Sequence, residues 1–304
     1  MTRFVSIVSF VVFFSSALPT YAADWPAAIQ LPSASPRPPA LAAFNGTLYA
    51  VWLSPNRTII ISSRNGSGAF DRPHPINNVD SSFDTPAVTQ FNNKLCLAWR
   101  ANDQSRGVYI SCTDNPNGTW PNGGRVNAVS DGTPALVTFK KELHLFWRGQ
   151  NHQFFAASSK NGDKWKNEGI VSGMDFSTEV PAFAEYKDKL YIAFKANDQS
   201  NEILVSATKK AKEWPKASRI KTHDSTPHRP ALVATDGALT LAWTGDNVQH
   251  QLYVSSSTNG KDWNTSVANP TFVSNFAPSL AMTGTETCMA WTAVNNQLRY
   301  SCAR

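Results

Sequence analysis

Pro181-Ala-Phe-Ala-Glu-Tyr186, then Lys187-Asp-Lys189, then Leu190-Tyr-Ile-Ala-Phe194 decides the fold, because the chain writes this sentence six times. The copies open at Pro39, Pro86, Pro134, Pro181, Pro230 and Pro278, in steps of 47, 48, 47, 49 and 48 residues. The aromatic that closes each alternating run keeps the same steps: Trp52, Trp99, Trp147, Phe194, Trp243 and Trp291. A fixed period in this range is the mark of a repeat architecture.

Within one copy, a short run from Pro181 reads as a strand, Lys187-Asp-Lys189 as a turn, and Leu190 to Phe194 as a second strand. The polar stretch Lys195 to Ser200 is a loop, Ile203 to Ser206 a third strand, and Trp214 to Ile220 a fourth segment. Four short strands per repeat, separated by turn signals, are the pattern of a propeller blade. No stretch carries a helical period, which excludes solenoids built on helix pairs. Trp25 to Leu31 matches the fourth segment of other repeats, such as Trp120 to Val126, and repeat six reaches only a third strand at Tyr300 to Arg304. The expected fold is therefore all-β: a six-bladed β-propeller of four-stranded blades, closed by the N-terminal strand, which completes the last blade and leaves no free edge there.

Residues 1–22 read as a secretory signal peptide, with Arg3, an apolar run from Phe4 to Ala17 and Thr20-Tyr21-Ala22 at the cleavage site. Residues 23–304 then form one domain, with no further segment apolar enough to span a bilayer. The formal net charge of +6 is scattered, and Lys209, Lys210 and Lys212 read as a solvated turn, so a nucleic-acid partner is not expected. Cys96 and Cys112 in repeat two, and Cys288 and Cys302 in repeat six, each straddle one hairpin. In an exported protein, extracellular or periplasmic, they read as two disulfides within repeats. No Cys or His lies at close ligand spacing to them, so neither a metal nor another cofactor is expected.

Ser158-Ser-Lys-Asn-Gly162-Asp-Lys-Trp165 and Ser256-Ser-Thr-Asn-Gly260-Lys-Asp-Trp263 resemble the Asp-box turn of sialidase-type propellers, with Lys160 and Thr258 where the Asp belongs. The whole repeat also resembles those of secreted propeller lectins of insect-pathogenic bacteria. That resemblance covers nearly all of the mature chain and implies glycan binding at several sites between blades. It does not imply a reaction, since the Asp-box is a structural turn.

Two groups of loops can carry a site. Those joining strands two and three repeat Trp99-Arg100 with Asn102 and Gln104, Trp147-Arg148 with Asn151 and Gln153, Lys195 with Asn197 and Gln199, Trp243 with Asp246 and Asn247, and Asn295 with Gln297. Amides, carboxylates and guanidinium groups beside an aromatic face suit the hydroxyls and C–H surface of a sugar. The alternatives are turn chemistry for Asn and Asp, and core packing for the Trp residues. The loops leading into strand one place Arg37, Asp84, Gly132, Glu179, His228 and Phe276 two residues before each Pro, with Asp131 and Arg229 one step away. Carboxylates with Arg and His around one axis make a glycosidase-like group, for which the alternative is charge solvation at a rim. The Arg-Ile-Pro motif of sialidases is absent; Ser-Pro-Arg37-Pro-Pro is a faint echo. Neither a nucleophile elbow nor a phosphate-binding glycine loop occurs. The expectation is a secreted, multivalent carbohydrate-binding protein rather than an enzyme. The alternatives are a glycoside hydrolase using Asp84, Asp131 or Glu179 with Arg37 and His228, and a propeller that binds proteins.

Overall fold

The computed structural model describes residues 25–79, 81–173, 177, 179–220, 224–235 and 237–304. The signal-peptide reading of residues 1–22 lies outside the described residues.

The chain opens with β1 (Ile29–Ala34). Blade one is β2 (Ala40–Phe44), β3 (Thr47–Leu53), β4 (Ile59–Asn65) and β5 (His74–Pro75). Blade two is β6 (Ala87–Phe91), β7 (Lys94–Arg100), β8 (Gly107–Thr113) and β9 (Gly124–Val129). Blade three is β10 (Ala135–Phe139), β11 (Glu142–Arg148), β12 (Phe154–Ser159) and β13 (Lys166–Ile170). Blade four is β14 (Ala182–Tyr186), β15 (Lys189–Lys195), β16 (Ile203–Thr208) and β17 (Ser218–Arg219). Blade five is β18 (Ala231–Thr235), β19 (Ala238–Thr244), β20 (Gln251–Ser257) and β21 (Val267–Val273). Blade six adds β22 (Ser279–Thr283), β23 (Glu286–Thr292) and β24 (Gln297–Ala303), and its fourth strand is β1. All neighbours are antiparallel, and Ile29 pairs with Tyr300 to close the ring.

The hairpins between strands one and two turn through positive φ at Asn92 and Asn93, Lys140 and Lys141, and Lys187 and Asp188. Two successive left-handed residues make the tight turn whose twist matches the flanking strands. Strand two is buried on both faces because each sheet lies between two others. In β7, Leu95, Leu97 and Trp99 pack toward Val51 and Ile61 of blade one, while Cys96 and Ala98 pack toward Leu143 and Leu145 of blade three. A strand with two dry faces needs a continuous apolar run, which is what the repeat supplies.

The closing segment starts later than its sequence suggests. Trp25 and Pro26 precede β1, as Trp120 and Pro121 precede β9, and Trp214 and Pro215 precede β17. Proline has no N–H for the ladder, so regular pairing begins beyond it. The Pro carbonyl instead accepts a serine hydroxyl from strand three at 2.8 Å in each case: Ser301 to Pro26, Ser111 to Pro121, Ser206 to Pro215. The N-terminal segment thus makes the same local bond to blade six that the blades make internally.

Both disulfides form between directly opposed residues, Cys96–Cys112 on β7 and β8, and Cys288–Cys302 on β23 and β24. The second abuts blade one, where Arg64, 5% exposed, pairs with Glu286 at 3.2 Å and donates to Cys302 Sγ at 3.2 Å. A cation therefore stands among the grouped Glu286, Cys288 and Cys302, whose sulfurs are joined in a disulfide. In the Asp-box-like turns Asn161 and Asn259 accept the N–H groups two and three residues ahead, between 2.8 and 3.1 Å. The carboxamide one position later takes over the task of the missing Asp.

Candidate functional site

The innermost strands are rich in Ala and converge on the central axis, and the loops leading into them gather at one end. There a cup of about 340 Å³ is lined by Arg37, Asp84, Gly132, Glu179, His228 and Phe276, one from each blade. All six positions two residues before the repeat prolines thus reach one cavity. Asp131 and Arg229 line it too, and so does Arg148, which the sequence had assigned to a strand two-to-three loop.

A buried hydroxyl sets each loop, and this the sequence reading missed. Ser35, Ser82, Ser130, Ser177, Thr226 and Ser274 stand four residues before the repeat prolines, and all six are at most 6% exposed. Each bonds the backbone two residues on. Arg37 N–H donates to Ser35 Oγ at 3.1 Å, and Ser82 Oγ donates to Asp84 O. The hydroxyls of Ser130, Ser177, Thr226 and Ser274 donate to the carbonyls of Gly132, Glu179, His228 and Phe276 at 2.7 to 3.0 Å. Short hydroxyl side chains favour such turns because they replace a backbone partner. Their spacing repeats that of the prolines, so periodicity would have found them.

The strand two-to-three loops brace this ring. Five of them end on a left-handed residue whose carbonyl accepts the N–H of the next blade's buried Ser or Thr: Arg57 to Ser82, Arg106 to Ser130, Asn201 to Thr226, His250 to Ser274, Asn296 to Ser35, at 2.9 to 3.2 Å. Their polar side chains hold the loops in shape. Asn151 and Asn295 accept the N–H of Gln153 and Gln297, both at 3.2 Å. Asn102 accepts from Arg57 at 3.1 Å, Asp246 from Asn201 at 2.8 Å, and Asn247 donates to Tyr253 at 3.0 Å. Gln297 also accepts from Gln30 at 2.8 Å. Gln104, Asn197 and Gln199 are exposed, and Lys195 is half-buried.

The expected aromatic platforms of these loops are corrected. Trp99, Trp147 and Trp243 are at most 4% exposed and are stacked by Tyr109, Phe155 and Tyr253 of strand three at 5.7 to 5.8 Å. Their faces belong to the core, as the alternation with buried Leu requires. Arg100 is also buried and lies over the Phe83 ring at 4.0 Å, and desolvation pushes its pKa down.

Charge in the cup is arranged in pairs. Arg37 meets Asp84 at 3.6 Å, and Asp131 is held by Arg106 at 2.9 Å and Arg148 at 3.5 Å. Glu179 accepts the backbone N–H of Arg229 at 3.3 Å. The Arg229 guanidinium has no ion-pair partner among the described residues. Burial pushes its pKa down while Glu179 and Asp84 oppose this, and arginine stays charged. His228 and Phe276 lie ring on ring at 6.5 Å, giving the wall an apolar face. The cup therefore offers acceptors, fork-shaped donors and one apolar plane.

No protein-family model matches the sequence, and no curated protein does. Solved structures share its architecture. The chain is similar to AofleA from Arthrobotrys oligospora, with a TM-score of 0.67 at 11% identity over 91% of this chain and 86% of that one. It is similar to a Hadza microbial sialidase, with a TM-score of 0.65 at 14% identity over 88% of this chain, and spans 65% of that protein. Aleuria aurantia lectin in complex with alpha-methyl-L-fucoside gives a TM-score of 0.59 at 11% identity, covering 86% of this chain and 89% of the lectin. At these identities the likeness is one of fold: the chain is a six-bladed β-propeller of the architecture that sialidases and fucose-binding lectins share.

Proposed function

We propose that this protein is an exported carbohydrate-binding propeller whose principal site is the axial cup. The observation that carries the reading is the convergence of all six lead-in loops on one cavity of paired guanidinium and carboxylate groups beside the Phe276–His228 wall. Carboxylates held by arginines accept sugar hydroxyls, the arginines donate, and the ring plane covers C–H surface. Arg229 favours a sugar that carries an acceptor-rich or acidic substituent. The likeness in fold to a lectin complexed with a fucoside supports a saccharide ligand.

Binding is favoured over hydrolysis by the chemistry of the lining. Asp84 and Asp131 are engaged by arginines, and among the described residues no tyrosine lines the cup to serve as the nucleophile a sialidase needs. The exposed Gln104, Asn197 and Gln199 serve as secondary contacts for longer glycans. Two disulfides fit an oxidising compartment, and among the described residues no helix is long and apolar enough to cross a membrane.

A broad glycan array tests the reading, with Glu179→Gln and Arg229→Gln beside the wild type. The expected result is selective binding that weakens at least about tenfold in both variants, a loss of about 1.4 kcal/mol. Silence across the array, or unchanged affinity in both variants, would overturn it. Release of chromophore from aryl glycosides would restore the hydrolase.

A further inference from the structure

The end of the propeller opposite the cup gathers a charge that the sequence spreads over two repeats. The lead-in loops form the cup, so strand one runs away from it. The turns joining strands one and two, and strands three and four, therefore close the far end of each blade. In blade three these turns and the start of β13 carry Lys140, Lys141, Lys160, Lys164 and Lys166. In blade four they carry Lys187, Lys189, Lys209, Lys210 and Lys212. All are exposed except Lys189, which is half-buried. Segments 140–142, 160–168, 185–189 and 209–213 hold ten lysines against six carboxylates, and so carry +4 of the chain's +6.

Hydrogen bonds join these turns from blade to blade into one arc. Asn92 Nδ2 donates to Lys160 O at 3.1 Å, Lys140 Nζ to Lys209 O at 2.9 Å, and Lys187 Nζ to Thr258 O at 3.0 Å. The carboxylates answer part of the charge. Lys160 meets Glu142 at 3.8 Å, Lys166 meets Glu168 at 2.9 Å, and Lys210 meets Glu213 at 3.0 Å. The other seven lysines and three carboxylates have no ion pair among the described residues, so the excess stays open to solvent. Lysines gathered at one end repel one another, and a bound polyanion turns that cost into attraction. The arc is not flat. A recess of about 460 Å³ opens in blade three, lined by Lys160, Lys164 and Lys166 with Glu142, Glu168 and uncharged hydroxyl and amide groups. None of the exposed large hydrophobic side chains lies in these turns, and the four segments hold no arginine.

We propose that this lysine arc is a docking surface for a linear acidic polysaccharide, at the opposite end of the molecule from the axial cup. Lysine is a compact charge on a flexible stem, so a row of lysines follows an anionic chain without fixing its register. A chain can lower one unit into the recess, which a flat bilayer cannot do, and the arc lacks the apolar anchors that hold a protein on a membrane. A nucleic acid is read by arginine forks or stacked on exposed aromatic rings, and the arc offers neither. The proposal does not rest on the cup reading.

Fluorescence anisotropy of end-labelled chondroitin sulfate reads the binding, with neutral dextran as the control. The wild type should bind the first and not the second, and added NaCl should weaken binding because it screens exposed charges. Unsulfated chondroitin should bind more weakly, in step with its lower charge. The triple variant Lys141→Gln, Lys164→Gln, Lys212→Gln removes three exposed charges from the arc and should weaken binding at least about tenfold. The triple variant Arg72→Gln, Arg125→Gln, Arg304→Gln removes the same charge from exposed sites on blades one, two and six, and should cost less than about twofold. Arg229→Gln in the cup should leave binding intact. No binding of chondroitin sulfate, equal affinity for its unsulfated form, equal losses in the two triple variants, or loss in Arg229→Gln would each overturn the proposal. So would tighter binding to a single-stranded oligonucleotide or to phosphatidylserine vesicles. Binding of chondroitin sulfate with no oligosaccharide bound on the glycan array would sink the cup reading and leave this one standing.

Discussion

Replacing Ser274 by Ala tests whether the buried hydroxyl ring holds the site. Ser274 is fully buried. Its Oγ accepts Phe276 N–H at 3.0 Å and donates to Thr292 O at 2.7 Å or Phe276 O at 3.0 Å. One proton serves one acceptor at a time, so the substitution removes one donation and one acceptance. It leaves the part-buried Phe276 N–H and the buried Thr292 carbonyl short of partners, at about 1 kcal/mol each, for a total of about 2 kcal/mol. The brace from His250 O to Ser274 N–H, at 3.0 Å, is untouched, so the loop loosens without detaching. With roughly 2 °C per kcal/mol for a chain of this size, the melting temperature should fall by about 4 °C. Phe276 sits on this turn, so cup affinity should fall with it. Thr226 fills the equivalent place in blade five, so Ser274→Thr is the control and should melt like the wild type. Thermal unfolding followed by tryptophan fluorescence reads both. Melting of Ser274→Ala within about 1 °C of the wild type would mean that the hydroxyl contributes nothing beyond what water supplies, and the ring would lose its role.

Glu286→Gln strands the buried Arg64 and should cost about 3 kcal/mol, read as a lower denaturant midpoint; replacing both residues by Met should recover most of it, and no difference between the two variants would contradict a buried pair. Removing either disulfide by paired Cys→Ser exchange should cost about 3 kcal/mol, as expected for closed loops of sequence separation 14 and 16, and unchanged unfolding in reductant would argue against it. His144 is buried against Phe139 and Phe146, and desolvation holds its pKa below the ordinary value. The unfolded chain therefore binds the proton first, so stability falls as pH drops through about 6.5 and levels off below the depressed native value. His144→Phe should flatten the loss of melting temperature between about pH 7 and about pH 5, and an unchanged slope would refute that assignment.

What was legible in the sequence is what the period repeats. The prolines, the closing aromatics and the cysteine pairs each have one structural task per blade, so their spacing transmits the fold, the closure by the N-terminal strand and both disulfides. The Ser and Thr ring was equally periodic and went unread because hydroxyl residues are common in turns, and only burial tells a brace from a solvated loop. The strand two-to-three loops were harder. Whether Asn102 or Asp246 meets a ligand or the neighbouring blade depends on a loop about one repeat away, and one repeat viewed alone does not contain that partner. Trp99, Trp147 and Trp243 alternate with buried Leu, yet their coverage comes from residues opposite them, at Tyr109, Phe155 and Tyr253.

Periodic positions therefore build the scaffold, and chemistry gathers where the period fails. The cup is heterogeneous for this reason: one position per blade holds Arg37, Asp84, Gly132, Glu179, His228 and Phe276, six different residues at one backbone geometry. The hydroxyl turns fix the backbone at these positions, so the side chains can differ from blade to blade while the ring keeps its geometry.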